Sequence, residues 1–325
     1  MSRIVVIGAT GHVGGYLVPR LVRAGHDVIA VSRGRREPYQ ADDAWRSVTR
    51  VELDRETEDA TGSFAPTIAA LGADIVVDMM CFTEDSARQL VDALRGTTGF
   101  LLSAGTIWVH GPATAVPTRE SDERFPIGGY GTAKAEIEKF LLAESRGGGL
   151  PATVLHPGHI TGPGWPMVNA QGNFDLRVWG TLSTGEPLTL PNLGLETVHH
   201  VHADDVAQAF EKAIEQQDAT AGNSYHVVSE RAMTLRGIAE TAAAWFGQEA
   251  NLNYRPLEDF LAELAPEHAD ASRDHIIRSP SMSIDAARAD FGYAPNYTSA
   301  AAIADGLRWL IADGQLDTGG RPLQA

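Results

Sequence analysis

A tyrosine and a lysine stand four positions apart in the stretch YGTAK, which runs from Tyr130 to Lys134. On a helix this spacing puts both side chains on one face. A tyrosine hydroxyl has an unperturbed pKa of about 10, and a neighbouring ammonium favours the phenolate and lowers that value. We interpret the two residues as an acid/base pair at neutral pH, in which the lysine also holds a cofactor ribose. The alternative is an ordinary pair on a helix surface.

Three glycines near the start of the chain form the pattern G-x-x-G-x-x-G. Arg3–Ile7 reads as a buried strand, Gly8, Gly11 and Gly14 as a sharp turn, and Val13–Arg23 as a helix. A helix N-terminus offers free N–H groups and partial positive charge, and glycines let the backbone approach a pyrophosphate closely. This context predicts a dinucleotide site, and the alternative is a structural glycine turn.

The residues after the second predicted strand, Asp27–Val31, indicate which dinucleotide is bound. An acidic residue there would contact a ribose 2′-hydroxyl, whereas an arginine accommodates a 2′-phosphate. The chain has Ser32 and Arg33 at this point, with Arg35 close by and no carboxylate. The pattern therefore favours NADP, with NAD as the alternative cofactor. The alternative for the arginines is that they are solvated charges on a loop and bind no phosphate.

The elements that position these residues alternate in the first half of the chain. Strands are predicted at Arg3–Ile7, Asp27–Val31, Ser47–Val51, Asp74–Asp78, Gly99–Ser103 and Ala152–His156, and helices at Val13–Arg23, Thr67–Leu71, Glu84–Leu94 and Gly131–Ser145. Such alternation predicts an α/β fold, with a doubly wound parallel sheet between two layers of helices.

The second half has looser patterning and shorter elements. Predicted helices are Phe174–Ser183, Asp204–Gln216, Leu235–Phe246, Pro256–Leu264 and Ala300–Ile311, with a strand at Ser224–Val228. We expect residues 1–156 to form the dinucleotide-binding domain and residues 157–325 a smaller substrate-binding lobe. Because no clean linker separates the halves, we expect the lobe to cross back to the sheet and not to fold independently.

Composition excludes several classes of function. The 325 residues carry a net charge of −16, which disfavours a nucleic-acid surface. No apolar stretch is long enough to span a membrane, and no leader peptide is evident. The single cysteine, Cys81, excludes an intrachain disulfide and a cysteine-based zinc site, and it fits a cytoplasmic location.

Two polar clusters have alternative interpretations. His199, His200 and His202 could suggest a metal, but the carboxylates beside them stand at a predicted helix start, where they cap N–H groups, so we predict no metal site. Asn173 and Arg177 follow a Gly/Pro-rich loop and are predicted to reach a polar substrate; an ordinary helix cap is an equal alternative for Asn173.

Six stretches form one recognisable set in their order along the chain. They are Gly8–Gly14, Ser103–Gly111, the pair Tyr130 and Lys134, His156–Gly164, His200–Ala207 and Asp290–Pro295. Together they resemble the short-chain dehydrogenase/reductase superfamily, in its extended, nucleotide-sugar epimerase/dehydratase-like branch. The resemblance implies a Rossmann-type sheet with a smaller C-terminal α/β substrate lobe.

The resemblance also implies roles for single residues. Thr106 falls on the catalytic Ser/Thr that contacts the substrate oxygen, with Ser103 as the second candidate, and Tyr130 and Lys134 complete the catalytic set. The implied cofactor-binding residues are Gly8, Thr10, Gly11, His12, Val13, Gly14, Ser32, Arg33, Asp54, Met80, Cys81, Ser103, Lys134, His156 and His159. The substrate-binding set is Phe82, Thr106, Trp108, His159, Asn173 and Arg177. For Cys81 the alternative is a small buried hydrophobic residue.

The sequence departs from the family pattern at sites that face cofactor and substrate in relatives. His156 and His159 stand where arginine and asparagine are usual, and Asp78–Phe82 replaces a common "NLAA". Relatives commonly form homodimers through two helices, here Glu84–Leu94 and Gly131–Ser145, with Ile137, Phe140 and Leu141 on the second. Packing within one chain is the competing use of those three residues.

These observations predict an NAD(P)-dependent epimerase, dehydratase or reductase. It would transfer hydride at a hydroxyl or ketone carbon of a sugar-like small molecule. The alternative is a non-catalytic relative that senses nucleotides or binds RNA on the same fold. The presence of Thr106, Tyr130 and Lys134 favours catalysis.

Overall fold

A computed structural model describes the whole chain, residues 1–325. The strands are β1 (Arg3–Ile7), β2 (Asp27–Ser32), β3 (Thr49–Glu52), β4 (Ile75–Asp78), β5 (Phe100–Ala104), β6 (Ala152–Pro157), β7 (His159–Thr161), β8 (Leu188–Pro191), β9 (Thr197–Val198), β10 (His200–His202), β11 (Ser224–Val227), β12 (Met233–Thr234) and β13 (Leu252–Arg255).

The helices cover both faces of the central sheet and build the C-terminal lobe. They are α1 (Gly14–Arg23), α2 (Arg55–Thr61), α3 (Phe64–Ala70), α4 (Glu84–Leu94), α5 (Gly128–Arg146), α6 (Leu176–Thr184), α7 (Ala203–Glu215), α8 (Gln217–Thr220), α9 (Leu235–Trp245), α10 (Leu257–Ala262), α11 (Pro266–Ile276), α12 (Asp285–Phe291) and α13 (Ser299–Ala312).

Seven strands form one parallel sheet in the order β11-β6-β5-β4-β1-β2-β3. The predicted doubly wound parallel sheet is confirmed. One face packs on α1 and α7, and the other on α3, α4 and α5, so the central strands are buried on both sides. That burial explains why β1 and β4 are nearly continuous runs of valine and isoleucine.

The C-terminal half has its own apolar core, centred on Trp179, Leu190 and Leu307. The chain nevertheless returns to the central sheet, because β11 pairs with β6 and α7 packs beside α1. Three two-stranded sheets, β7/β10, β8/β13 and β9/β12, complete the lobe. No helix of the protein combines the length and the apolar character that a membrane crossing needs.

Most predicted elements are present, and the differences have physical causes. Helix α5 begins at Gly128 and not at Gly131, which puts Tyr130 in its first turn. Helices α2 and α11 were not predicted. The first buries no residue at all and the second buries only three, so neither has the apolar periodicity by which a helix is recognised in a sequence.

The order of the strands reverses between β1 and β4. In open α/β sheets ligands bind outside the carboxyl ends of the strands at such a switch point. Gly8, Met79 and Gly105 immediately follow β1, β4 and β5 along this edge. The fold therefore brings the glycine turn and the chain after β5 to one side of the sheet.

Candidate active site

The glycine turn is tightly packed against its surroundings. Gly8 has a φ of +87°, and a Cβ there would lie 2.8 Å from Met80 Cγ. A Cβ on Gly14 would lie 2.3 Å from the carbonyl oxygen of Ala9. Both positions require glycine, one for its backbone conformation and both for the close approach of neighbouring groups. The turn thus has the shape that a bound pyrophosphate needs.

The start of α1 carries unpaired donors. The amides of Thr10, His12, Val13 and Gly14 donate to no backbone carbonyl. Free amides at a helix N-terminus form an anion site. The His12 ring itself does not contribute to this anion site. It stacks on Trp165 with centroids 5.7 Å apart, and burial lowers the pKa of the imidazole to about 4. The imidazole is therefore neutral, and the residue can serve an anion only through its backbone.

A cleft of about 610 Å³ opens beside the glycine turn. Its walls come from the ends of β1, β2 and β3, from α2, and from the chain after β4. The lining residues include Gly8, Thr10, Gly11, Ser32, Arg33, Arg35, Arg36, Asp54, Arg55, Met80 and Phe82. The predicted cofactor residues from four separate stretches of sequence therefore meet in one cavity large enough for a nucleotide.

The arginines at the rim of the cleft differ in their partners. Arg35 forms an ion pair with Asp54 at 3.0 Å, whereas no carboxylate pairs with Arg33. The guanidinium of Arg36 lies over the Tyr39 ring, 4.7 Å from its centroid. Ser32 accepts a hydrogen bond from the Gly34 amide at 3.3 Å. Of the predicted pair Arg33 and Arg35, Arg33 is the one whose charge is uncommitted.

A buried ion pair in the cleft wall was missed by sequence reasoning. Arg55 donates to both carboxylate oxygens of Asp78, at 2.6 and 2.7 Å, and also to Ser86. Burial disfavours the charge of Arg55, but Asp78 beside it holds the pKa of the guanidinium above its usual value. An aspartate that ends the apolar strand β4 was the available signal, because a buried carboxylate needs a partner.

Tyr130 and Lys134 lie on one face of α5, as predicted. Lys134 is buried, and its ammonium donates to the carbonyl oxygen of Ala104 at 2.7 Å. The same nitrogen lies 5.9 Å from the centre of the Tyr130 ring and 4.9 Å from that of Phe82. Burial lowers the pKa of Lys134.

The Tyr130 hydroxyl is a neutral acid in this structure. Tyr130 is 46% exposed, yet desolvation is the largest effect on its hydroxyl and raises its pKa, while a hydrogen bond with the Thr106 side chain lowers it. The sequence predicted that Lys134 lowers this pKa, and that expectation is wrong for the net effect. The ammonium binds Ala104 and lies too far from the phenol to outweigh burial.

Trp108 forms a wall beside Tyr130. The two rings meet edge to face with centroids 5.9 Å apart. His275 contacts the indole at 5.2 Å, and the guanidinium of Arg278 lies over it at 3.9 Å. His275 in turn contacts the exposed ring of Phe174. The phenol therefore faces Trp108, from the turn after β5, and behind this indole lie residues of the C-terminal lobe.

Comparison with known proteins agrees with this geometry. The sequence model of the NAD dependent epimerase/dehydratase family matches residues 4–227. The chain belongs to this family. A 2′-dehydrokanamycin reductase of Streptomyces kanamyceticus is 26% identical over 80% of this chain and 74% of its own length.

Two further similarities mark the range of the family. The chloroplast stem-loop binding protein of 41 kDa b from Arabidopsis thaliana is 24% identical over 79% of this chain and 67% of its own. The crystal structure of UDP-glucose 4-epimerase from Thermotoga maritima superposes with a TM-score of 0.72 at 18% identity, covering 96% of this chain and 99% of that one. The protein is thus an NAD(P)-dependent enzyme of the extended short-chain dehydrogenase/reductase type.

Some residues expected at the cofactor have other positions in this family member. His156 is fully buried with both ring nitrogens engaged, by the Thr106 amide and by Glu138, so neither is free to bind a cofactor. Cys81 is buried outside the cleft lining, and burial raises the pKa of its thiol to about 12, which supports its reading as a small hydrophobic residue.

The two candidate hydroxyls, Ser103 within β5 and Thr106 just after it, differ in their hydrogen bonds. The side chain of Thr106 accepts a hydrogen bond from the Trp108 amide at 3.3 Å and caps the 3-10 turn Ile107–His110. The Ser103 hydroxyl is buried with no hydrogen-bond partner in the chain. Of the two hydroxyls, only that of Thr106 affects the pKa of Tyr130, which it lowers.

The expected substrate residues divide into two groups. Phe82, 49% exposed, lines the cleft, and Trp108 contacts Tyr130. Asn173 is fully buried, and its amide bonds to Asn169 and Ser272, so it holds a loop together and does not reach a substrate. Arg177 is clamped to Asp175 at 2.7 Å. The helix-cap alternative for Asn173 is wrong as well, because the N-cap of α6 is Asp175, whose side chain accepts a hydrogen bond from the Arg177 amide.

His199, His200 and His202 have structural partners within the chain. No group of His, Cys, Asp or Glu side chains in the chain could hold a metal ion. His199 bonds to the Ser229 carbonyl, His200 to the Val168 carbonyl, and His202 to Asp305. His159 bonds through Nδ1 to the His199 carbonyl, its Nε2 is unpaired, and burial keeps its pKa well below the usual value.

Proposed function

We propose that this enzyme transfers hydride between NADP and a hydroxyl or ketone carbon of a sugar-like small molecule. The observation that carries the proposal is the meeting of Tyr130, Lys134 and Thr106 at the sheet edge that also holds the glycine turn. NAD is the alternative cofactor. The nicotinamide, when bound, supplies or accepts the hydride.

Tyr130 is the proposed proton donor. A phenol is protonated at neutral pH, since its ordinary pKa is about 10, and burial raises the pKa of Tyr130 further. This protonation state suits ketone reduction, because the developing alkoxide then takes its proton from the phenol. The Thr106 hydroxyl orients the same substrate oxygen. A positioned proton transfer of this kind contributes about 10²–10⁴-fold to the rate.

Lys134 is proposed to stabilise the phenolate that forms and to hold the nicotinamide ribose. Its ammonium has three donors, and only one is used, on Ala104. Two donors remain for ribose hydroxyls. Phe82 and Met80, both at least partly exposed at the cleft, would pack against the cofactor beside it.

The preference for NADP rests on Arg33. Its guanidinium lines the cleft without a carboxylate partner, whereas Arg35 is neutralised by Asp54. A 2′-phosphate on the adenosine ribose would be drawn to the unpaired charge. Ser32 would add a hydroxyl contact.

Whether the purified protein retains a bound cofactor distinguishes an epimerase from a reductase. Epimerases keep and recycle their cofactor, whereas reductases release it. We expect a protein that binds NADPH reversibly, measured by fluorescence titration, and reduces a ketone in a panel of keto-sugars and cyclic ketones. Loss of that reduction in Tyr130→Phe with NADPH affinity retained supports the proposal, and wild-type turnover in that variant would refute it.

The RNA-binding alternative has less support. One relative is named a stem-loop binding protein, but the net charge of −16 opposes binding to a phosphate backbone. We therefore propose a small-molecule substrate, no nucleic-acid or membrane partner, and a cytoplasmic location. A salt-sensitive mobility shift with RNA would contradict this.

We also propose a homodimer that uses the outer surfaces of α4 and α5. The predicted contribution of Ile137 and Leu141 is wrong, because both are buried in the core of the single chain. Phe140 is only partly buried, and the guanidinium of Arg88 lies over its ring at 4.2 Å. A monomer by light scattering at micromolar concentration would exclude the dimer.

A further inference from the structure

A buried histidine holds the backbone of the turn that carries Thr106. The Thr106 amide donates to His156 Nδ1 at 3.0 Å. A nitrogen that accepts from an N–H group must carry a lone pair, so the proton of the neutral ring lies on Nε2. That nitrogen faces Glu138 Oε1, also at 3.0 Å. The contacts therefore define the tautomer as well as the orientation of the ring.

Glu138 is a fixed acceptor. It is buried, and the same oxygen also accepts from Arg124 at 2.7 Å and from the Ser224 hydroxyl at 2.7 Å. Burial opposes ionisation, yet His156 and Arg124 hold the pKa of Glu138 well below its usual range. The carboxylate thus remains charged and keeps the His156 ring in one orientation.

Three residues on one face of α5 act on the same short turn. Tyr130, Lys134 and Glu138 follow each other at intervals of four, which aligns them along the helix. Lys134 binds the Ala104 carbonyl directly, and Glu138 reaches the Thr106 amide through His156. The turn is therefore held on both sides of Gly105.

Gly105 shows how closely the imidazole fits. A Cβ at this position would lie 2.3 Å from His156 Nδ1. Any larger residue would push the ring off the Thr106 amide. The glycine between the two anchored residues is thus required by the histidine behind it.

We propose that Glu138 and His156 form a positioning pair, which fixes Thr106 so that its hydroxyl meets Tyr130 and the substrate oxygen. The inference rests on the proposed roles of Thr106 and Tyr130. Neither Glu138 nor His156 touches substrate or cofactor. An apolar residue would fill strand β6 at lower desolvation cost, as Val154 and Leu155 do, so a buried imidazole bonded to a buried carboxylate needs a reason beyond packing.

The test uses the ionisation of Tyr130, which needs no substrate. Tyrosine labelled with 13C at Cζ reports the phenol titration by NMR, and Tyr130→Phe assigns the signal. His156→Asn places its amide oxygen near Nδ1 and keeps an acceptor for Thr106. His156→Gln places its amide near Nε2 and keeps only the Glu138 contact.

We expect the Asn variant to leave the Tyr130 pKa at the wild-type value. The Gln variant should raise it by the same amount as Thr106→Val, because the Thr106 hydroxyl no longer reaches the phenol. Thr153→Val is the matched control. Thr153 lies in the same strand as His156, and the substitution removes its buried hydrogen bond to the Thr220 carbonyl, which should leave the Tyr130 pKa unchanged. An unshifted Tyr130 in the Gln variant, or equal shifts in Asn and Gln, would overturn the proposal.

A second measurement on the wild-type protein covers the case in which a variant does not fold. 15N spectra of labelled histidine should give His156 an unprotonated Nδ1 and a protonated Nε2. The opposite tautomer would overturn the proposal. NADPH binding and Tyr130→Phe turnover test the proposed function separately, so a failure there is distinguishable from a failure of the positioning pair.

Discussion

The Lys134 ammonium donates a hydrogen bond to the carbonyl oxygen of Ala104, 2.7 Å away, and so ties α5 to the end of β5. A single side chain therefore fixes the distance between the helix that carries Tyr130 and the turn that carries Thr106. It also brings its positive charge to the edge of the sheet, where a nicotinamide ribose would lie. The Lys134 ammonium thus has a structural role, the contact with Ala104, and a proposed chemical role at the cofactor.

Lys134→Met should damage both cofactor binding and turnover. Methionine fills the same buried space but offers no donor to Ala104 or to a ribose. We expect NADPH affinity to fall about tenfold or more, which corresponds to the loss of one charge-assisted hydrogen bond. Fluorescence titration measures it. Lys139→Met, on the exposed side of the same helix, is the control, and equal effects of both variants would refute the assignment.

Tyr130→Phe should leave NADPH affinity near the wild-type value and remove about 10²–10⁴-fold of the turnover, because only the proton donor is lost. Single-turnover kinetics with the ketone identified in the panel measures the rate. Thr106→Val should fall between the wild type and this variant, since it removes one oriented hydrogen bond. A Thr106→Val variant slower than Tyr130→Phe would reverse the proposed roles.

Arg33→Ala should reduce the preference for NADPH over NADH. The side chain lines the cleft with no carboxylate partner, so its charge is available to a 2′-phosphate, and a charge-assisted contact of this kind contributes about 1.5–3 kcal/mol, or roughly 10–100-fold in affinity. Arg35→Ala, which breaks the pair with Asp54, should have a smaller effect. Unchanged NADPH affinity in the Arg33 variant would show that Arg33 does not bind a 2′-phosphate and would refute its proposed role.

The fold and part of the candidate site could be predicted from the sequence. The strand β1, the glycine turn and the pair Tyr130 and Lys134 depend on local spacing, which is visible in one dimension. The partner of Asp78 could not be predicted in this way. Arg55 lies on α2, a helix with no buried residue, and it contacts Asp78 only because the fold places α2 beside the end of β4. The role of His156 was also hidden, since its contacts with Thr106 and Glu138 join three separate elements.

Asp78→Asn should destabilise the fold strongly. Both partners of the Arg55–Asp78 pair are nearly buried, and losing one of them costs about 3–5 kcal/mol when the other charge is left without a partner. Arg55 keeps Asp59, at 3.2 Å, as its remaining carboxylate partner, so we expect a loss at the lower end of this range. Urea unfolding measures the free energy. Glu240→Gln is the control, because its pair with Arg236 is half-exposed on both sides and contributes less than about 1 kcal/mol. An effect as small as that of Glu240→Gln would show that the Arg55 charge does not depend on Asp78 and is satisfied by Asp59 or by water.

Acid should destabilise the protein well before its carboxylates are protonated. Burial lowers the pKa of four histidines, His12, His110, His199 and His200, from 6.5 to about 4. Above about pH 6.5 these rings are neutral in the folded and the unfolded chain, so the stability that depends on them is fully present. Below that pH the unfolded chain takes up protons and the folded chain does not, so stability falls until the pH reaches the folded pKa of about 4.

Each of these histidines should cost about 1 kcal/mol between pH 6.5 and 5.5, where its unfolded ring goes from half to nearly fully protonated, so that the four together remove about 4 kcal/mol. That loss is comparable to the whole stability of an ordinary domain, which is about 5–15 kcal/mol. We therefore expect the urea midpoint to drop steeply between pH 7 and 5, with these four rings taking up about 3.5 protons on unfolding near pH 5.5. Burial also lowers the pKa of His159, His226 and His275, so the total uptake should be larger. A midpoint that stays constant over this range would show that the four rings are already solvated in the folded protein.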